Sequence, residues 1–372
     1  MARATGDIGS DVVSAIPFSL RAELPDTALV DELVTGGARR VGLAGLLAER
    51  GSRAWRAWVR GSAAGAGYRW RMRDNHDRTW WPQGIDVAEV DGRRVLVVSW
   101  YAQVKDGVSM GVRLTFVDLR NRWWPTYHHV LLVDAVQNRA GNVRLDPIEV
   151  HAGGIGWTGD NILVADTFGG LRVFRLDDLL RLDGGPFGYR HVLPQFSRYR
   201  SVQAEGTRRM RYSFVSIEHS DGDPRLVAGE YGNDGLGDRL TRIALDADGA
   251  VAVDEAGTAT PLELHEPGIY RMQGVCVVDG TWYVTTSNGE FTGGDLWVGQ
   301  PATSTPGDFA RHKHVLPAGP EDLAYDRTAK LLWSLSEWPG RRRVFMIDPD
   351  RIPRLGRPPR SPESAGPRTP GA

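Results

Sequence analysis

Between Val150 and Leu179 the apolar residues come in short runs, Gly154–Trp157, Ile162–Ala165 and Leu171–Leu176. Turn-forming stretches, Thr158-Gly159-Asp160-Asn161 and Phe168-Gly169-Gly170, separate them. Runs of this length bounded by Gly, Asp and Asn predict strands rather than helices. The same order returns from Pro82, Tyr212, Met272 and Gly319, which makes five copies. Between copies lie three near-identical starts, His129-Val130-Leu131-Leu132, His191-Val192-Leu193-Pro194 and His314-Val315-Leu316-Pro317, each predicting a fourth strand.

Four-stranded meanders repeated roughly 50–70 residues apart predict an all-β fold in which the repeats stack radially, a β-propeller. Five copies predict five blades; six, with the N-terminal region supplying an irregular blade, is the alternative. The fifth copy has no fourth strand after it, while "GYRWRM", Gly67–Met72, is unpaired before the first. Pairing of that segment beside Arg342–Ile347 would close the ring and cover a sheet edge. Residues 1–66 read as an extension with short helices, since Leu43, Leu46, Leu47, Trp55 and Trp58 recur at helical spacing. Arg53–Arg60 also reads as an amphipathic helix lying on a membrane or a partner. The propeller then spans 67–354, and the Pro-, Gly- and Arg-rich residues 355–372 form a disordered tail.

Composition narrows the function. With 41% hydrophobic and 24% charged residues the chain is an ordinary globular protein, and a formal net charge of -1 argues against nucleic acid as partner. The one cysteine, Cys276, sits in an apolar run and reads as a buried thiol. No secretory segment opens the sequence and no apolar run is long enough to span a membrane, so the cytoplasm is the expected compartment.

In a meander repeated this way, the start of each first strand and the end of each second strand meet on one face. Polar and aromatic residues gather at those positions: Gln83, His151 with Gly153, Ser213, Gln273 and Glu321 with Asp322 at the starts. At the ends stand Ser99-Trp100-Tyr101, Asp166-Thr167, Glu230-Tyr231, Ser287-Asn288 and Glu337-Trp338. Carboxylates crowded beside a histidine acquire unequal pKa values and can serve as acid and base. The expected catalytic set is therefore His151, Asp166, Glu230, Glu321 and Glu337, with Asp166 orienting His151 and raising its pKa. Trp81, Gln83, Trp100, Tyr101, Gln273, Asn288, Asp322 and Trp338 are expected to bind substrate. No nucleophile elbow, C-x-x-C or H-E-x-x-H pattern is present, so no transition-metal site or resident cofactor is expected.

"GPEDLAYD", with "QGI" and "QGV" at matching places, resembles the calcium-dependent lactonase and strictosidine-synthase-like propellers, in which a Glu before an inner strand is a central ligand. That resemblance implies a role for Glu321 and leaves Ca²⁺ open as a ligand. Those families have six blades and an Asn-rich ligand set, whereas Gln83, Gly153, Ser213 and Gln273 stand here. The blade count is closer to the five-bladed carbohydrate-active propellers. The expected function is an enzyme acting on a small organic molecule, in the manner of specialised metabolism, as hydrolase, lyase or cyclase. The alternative is a non-catalytic propeller that binds a ligand or a protein.

Overall fold

The computed structural model describes residues 16–25, 27–219, 223–233, 237–301 and 308–354. The tail at 355–372 lies outside the described residues. Antiparallel pairing produces five four-stranded meanders. The first runs Trp80–Val90, Arg93–Ala102, Val112–Asp118, Thr126–Gln137, and the second Ile155–Thr158, Asn161–Asp166, Gly170–Arg175, His191–Gln203. The third is Phe214–Glu218, Arg225–Gly229, Leu240–Ala244, Glu263–His265, and the fourth Met272–Val278, Thr281–Thr286, Asp295–Gln300, Asp308–His312. The fifth is Pro320–Asp326, Leu331–Ser336, Arg343–Ile347 and, from the start of the chain, Ala64–Arg69. The first strands touch their neighbours in a closed cycle, the fifth meander returning to the first. The fold is an all-β propeller.

Its glycines explain why the blades can stack so closely. A Cβ on Gly84 would meet Ser99 Oγ and the Gly154 backbone; one on Gly154 would meet the backbone of Phe214 and Val215; one on Gly274 would meet Asp322. The glycine that opens each of these copies is thus the place where one inner strand lies against the next. Apolar side chains fill the space between blades, with Val95, Val97, Leu114, Phe116, Ile155, Ile162 and Val164 in one such cluster.

Three expectations are corrected. The closing strand is Ala64–Arg69, paired as Arg69 with Arg343 and Gly67 with Phe345, and not Gly67–Met72. Met72 already starts a short helix, Met72–His76, and Trp70 turns into the core between Trp100 and Tyr127. His314 does not open a fourth strand. Asp308–His312 fills that place, and His314 takes a left-handed φ of 56° with its N–H given to Asp295. Arg53–Arg60 is not a helix: Trp55–Ala57 adds a further strand outside Ala64–Arg69, where it pairs backbone groups that the sheet edge would otherwise leave open. Helices do form at Ala28–Thr35 and Gly42–Ala48, the second burying Leu43, Leu46 and Leu47. Phe18–Glu23 pairs along His191–Gln203, tying the start of the described chain to the second blade.

Close approach at Gly154 can be tested against an open position. Gly154→Ala should lower unfolding free energy by about 1–3 kcal/mol, the usual cost of an overpacked interior. Gly184, with free space around it, should tolerate alanine within about 0.5 kcal/mol. Urea unfolding measures both, and equal midpoints would refute the contact between inner strands.

Candidate functional site

At one end of the central channel the strand starts enclose a cavity of about 380 Å³. Each blade contributes: Gln83 from the first, His151, Gly153 and Thr167 from the second, Arg211, Ser213 and Tyr231 from the third. Gln273 comes from the fourth, and Glu321 and Glu337 from the fifth. These side chains converge because each either opens an inner strand or follows the second strand of its blade.

Two glutamates make the electrostatic centre. Glu321 is 1% exposed, and its Oε1 accepts a hydrogen bond from Gln273 Nε2 at 3.2 Å. Burial first, and then the charges of Glu337 and Asp322, push its carboxyl well above the ordinary range. Glu337 is raised to about 7, also by burial, but two neighbours restrain it. Gln83 Nε2 donates to Glu337 Oε2 at 3.3 Å, and the Arg342 guanidinium lies close enough to favour the charged form. Arg342 is itself fully buried, with Nε donating to the Glu337 carbonyl at 2.8 Å. The two acids therefore differ: Glu337 ionises first, and its charge helps keep the proton on Glu321.

His151 stands at the mouth, its ring 4.4 Å from the Tyr101 ring, and shielding by the surrounding protein lowers its pKa. This reverses the expectation that Asp166 would raise it. Asp166 instead accepts from Gly169 N–H at 3.1 Å and Arg172 Nε at 3.0 Å. Among the described residues no hydrogen bond or ion pair joins it to His151. A tight turn and an arginine on the adjacent strand engage the carboxylate locally.

Other expected residues are also used elsewhere. Glu230 is fully buried, and Arg239 and Arg208 hold its carboxylate, with Arg239 Nη2 at 2.6 Å; this is no free acid or base. Trp100 is fully buried between the guanidinium groups of Arg113 and Arg342 and walls no ligand space. Trp81 and Trp338 pack edge to face at 5.3 Å outside the cavity lining. Asn288 Nδ2 donates to Gly293 O and Asp295 Oδ1, bracing a loop. Asp322 lies fully buried, accepting from the Ile85 and Ile155 N–H groups. Thus Gln83, His151, Gln273, Glu321 and Glu337 share the cavity, with the Tyr101 ring tilted against His151, while the remainder serve the scaffold.

Arg211 is the lining residue that sequence reasoning missed. It lies before the third inner strand, outside the aligned positions, and only its neighbour Tyr212 opens the repeat. Its Nε is buried with no hydrogen-bond partner among the described residues. The backbone beneath is fixed: Arg211 N–H donates to Glu230 Oε1 at 2.9 Å, and Arg239 donates to the carbonyls of Arg208 and Arg209. The buried Glu230 ion pair thus positions Arg211. Among the described residues no three His, Cys, Asp or Glu side chains gather as metal ligands, and no helix is long and apolar enough to cross a membrane. Cys276 is buried, with its thiol raised by burial and by the carboxylates of Asp86, Asp322 and Glu218.

No protein-family model matches the chain, and no curated protein matches it. Among solved structures it is similar to a glutaminyl cyclase of Myxococcus xanthus, at 13% identity over 80% of this chain and 97% of that one, TM-score 0.33. It is also similar to a GH43_1 enzyme of Xanthomonas citri, at 12% identity over 74% and 91%, TM-score 0.37. A mannose phosphorylase of Leishmania mexicana aligns at 7% identity over 74% and 86%, TM-score 0.35. Likeness at this level carries no argument about chemistry; the site's own residues must.

The raised pKa of Glu337 has a consequence for stability. A carboxyl that titrates near 7 when folded and near 4.5 when unfolded holds its proton more tightly in the folded state. Its contribution to stability is lost as pH rises from about 4.5 to about 7. Glu337→Gln should therefore gain about 1–3 kcal/mol relative to wild type on moving from about pH 4 to about pH 8. Denaturant titrations at both pH values measure this, and a difference independent of pH would show an ordinary carboxyl.

Proposed function

We propose that this propeller is an enzyme that transfers protons on a small anionic organic molecule held in the channel mouth, as a hydrolase, lyase or cyclase. The observation that carries the reading is the pair of recessed carboxyls, Glu321 and Glu337, with unequal pKa values in one cavity. Glu337, titrating near 7, takes a proton from substrate or water. Glu321, kept protonated, gives one to the group that leaves or to the atom that gains electrons. His151, whose pKa the surrounding protein lowers, accepts or donates a hydrogen bond at the entrance. A bond breaks or forms between heavy atoms while one proton leaves the substrate side and another returns, so no electron acceptor is required.

Arg211 gives the substrate its charge. Among the described residues Arg211 is the one Arg or Lys on the cavity lining, and a guanidinium favours a carboxylate or phosphate group. The remaining lining, Gln83, Gln273, Ser213, Thr167 and Tyr231, supplies hydrogen bonds suited to a polar rather than a greasy molecule.

The test begins with thermal shifts over panels of organic carboxylates, phosphate monoesters and neutral sugars, followed by product detection by mass spectrometry. Anionic compounds should stabilise the wild type, and Arg211→Ala should lose that preference. With a converted compound in hand, Glu321→Gln and Glu337→Gln should retain binding but lose turnover on the order of 10²–10⁴-fold. A ligand bound through Arg211 and recovered unchanged would make this a binding protein and sink the enzymatic reading.

A further inference from the structure

Far from the channel, on the outer edge of the fifth blade, lies a second feature of different chemistry. Trp55, Trp58, Trp123 and Trp124 are 39%, 78%, 48% and 50% exposed, and all four line one groove of about 660 Å³. Its floor is Ala57, Ala64, Gly65 and Ala66, and its one charged lining residue is Arg56. Four exposed indoles around one groove are unusual on a protein surface, where large apolar patches mark interaction sites.

Backbone bonds hold the platform rigid. Trp55–Ala57 pairs with Ala64–Arg69 on one side, and on the other Arg56 N–H donates to the Trp123 carbonyl at 2.9 Å. Asn121 Oδ1 accepts from the N–H groups of both Trp123 and Trp124, fixing the turn that carries them. The rings lie among cations: Arg56 and Arg122 stand 4.9 and 5.1 Å from the Trp123 ring, and Arg69 5.9 Å from Trp55.

We infer that this patch docks the protein on an anionic lipid bilayer. Tryptophan is the side chain that settles at the membrane–water interface, where an apolar ring and a polar N–H are both accommodated. Arginines around it are attracted to anionic headgroups. The lining favours a bilayer over a sugar polymer, because no Asp, Glu, Asn or Gln side chain stands among the indoles to hold hydroxyls. It favours a bilayer over single-stranded nucleic acid, because the Ala and Gly floor offers no side-chain hydrogen bonds to base edges. The structure thus replaces the amphipathic helix read over Arg53–Arg60 with a strand and turn that present the same tryptophans.

The test is co-sedimentation of the full chain with vesicles of pure phosphatidylcholine and with vesicles in which phosphatidylglycerol replaces part of it. Binding should require phosphatidylglycerol, weaken with salt and shift tryptophan emission to the blue. Arg56→Glu should weaken it at least about fivefold, the worth of one arginine near an anionic surface. Trp58→Ala should weaken it on the order of tenfold. Trp58 is so exposed that its loss should leave the melting temperature unchanged, which separates docking from folding. No binding to either vesicle, or binding indifferent to lipid charge and to both variants, would overturn the proposal. So would binding of a single-stranded oligonucleotide or a glucan, but not of vesicles, that both variants abolish.

Discussion

The inner strands of this propeller run side by side around a channel without forming a continuous sheet, so their backbone N–H groups need acceptors from elsewhere. Buried side chains supply them. Asp322, on the fifth inner strand, accepts from Ile85 N–H at 3.1 Å on the first and from Ile155 N–H at 3.4 Å on the second. Asp86 Oδ2 accepts from Trp157 N–H at 2.6 Å, joining the first blade to the second. Ser99 Oγ accepts from Gly84 and donates to the Ala152 carbonyl, and Thr285 Oγ1 donates to the Glu321 carbonyl. An unpaired buried N–H costs about as much as a lost hydrogen bond, so these few groups fix the angle between blades.

The same constraint shapes the cavity above. Burial pushes Asp86 up to about 7 and Asp322 well above its ordinary range, so the channel interior holds carboxyls that resist ionising. Glu321 directly precedes Asp322 on the same strand and shares that environment. Its backbone carbonyl belongs to the stitching, while its side chain faces the cavity. Glu337 escapes part of the penalty because Gln83 donates a hydrogen bond to it and Arg342 lies beside it. The asymmetry between the two acids thus arises from their neighbours: carboxylates beside Glu321, and an amide donor and a guanidinium beside Glu337.

The strand repeat was legible because alternating apolar residues recur in every blade and a glycine stands at the inner-strand contact in three of them, Gly84, Gly154 and Gly274. The glycines of "QGI", "GGI" and "QGV" marked the contacts between inner strands, and the polar residues beside them, Gln83, His151, Gln273 and Glu321, fell in the cavity. The third meander broke the rule: it opens without glycine, and there the sequence hid Arg211. Positions after the second strands were read less well. A residue at a strand end serves the adjacent turn as readily as the channel, and Asp166, Glu230 and Asn288 each found a local partner in an arginine or a loop. Trp100 illustrates another ambiguity, since an aromatic residue near a polar face packs inward when two buried arginines need its ring. Nothing in the spacing of Trp55 and Trp58 distinguished a helix from an edge strand; the open edge of Ala64–Arg69 decided it.

Chain order also separates the two surfaces. Ala64–Arg69 closes the fifth blade from outside, and Trp55–Ala57 lies one strand further out, four strand spacings from Pro320–Asp326 and Glu321. At about 4.8 Å per spacing this is roughly 19 Å of hydrogen-bonded sheet. The strand that closes the ring therefore does two things at once: it covers the edge that would otherwise be open, and it carries a cationic aromatic face outward. Because both depend on the same backbone pairing, the outer face is built only when the propeller is closed.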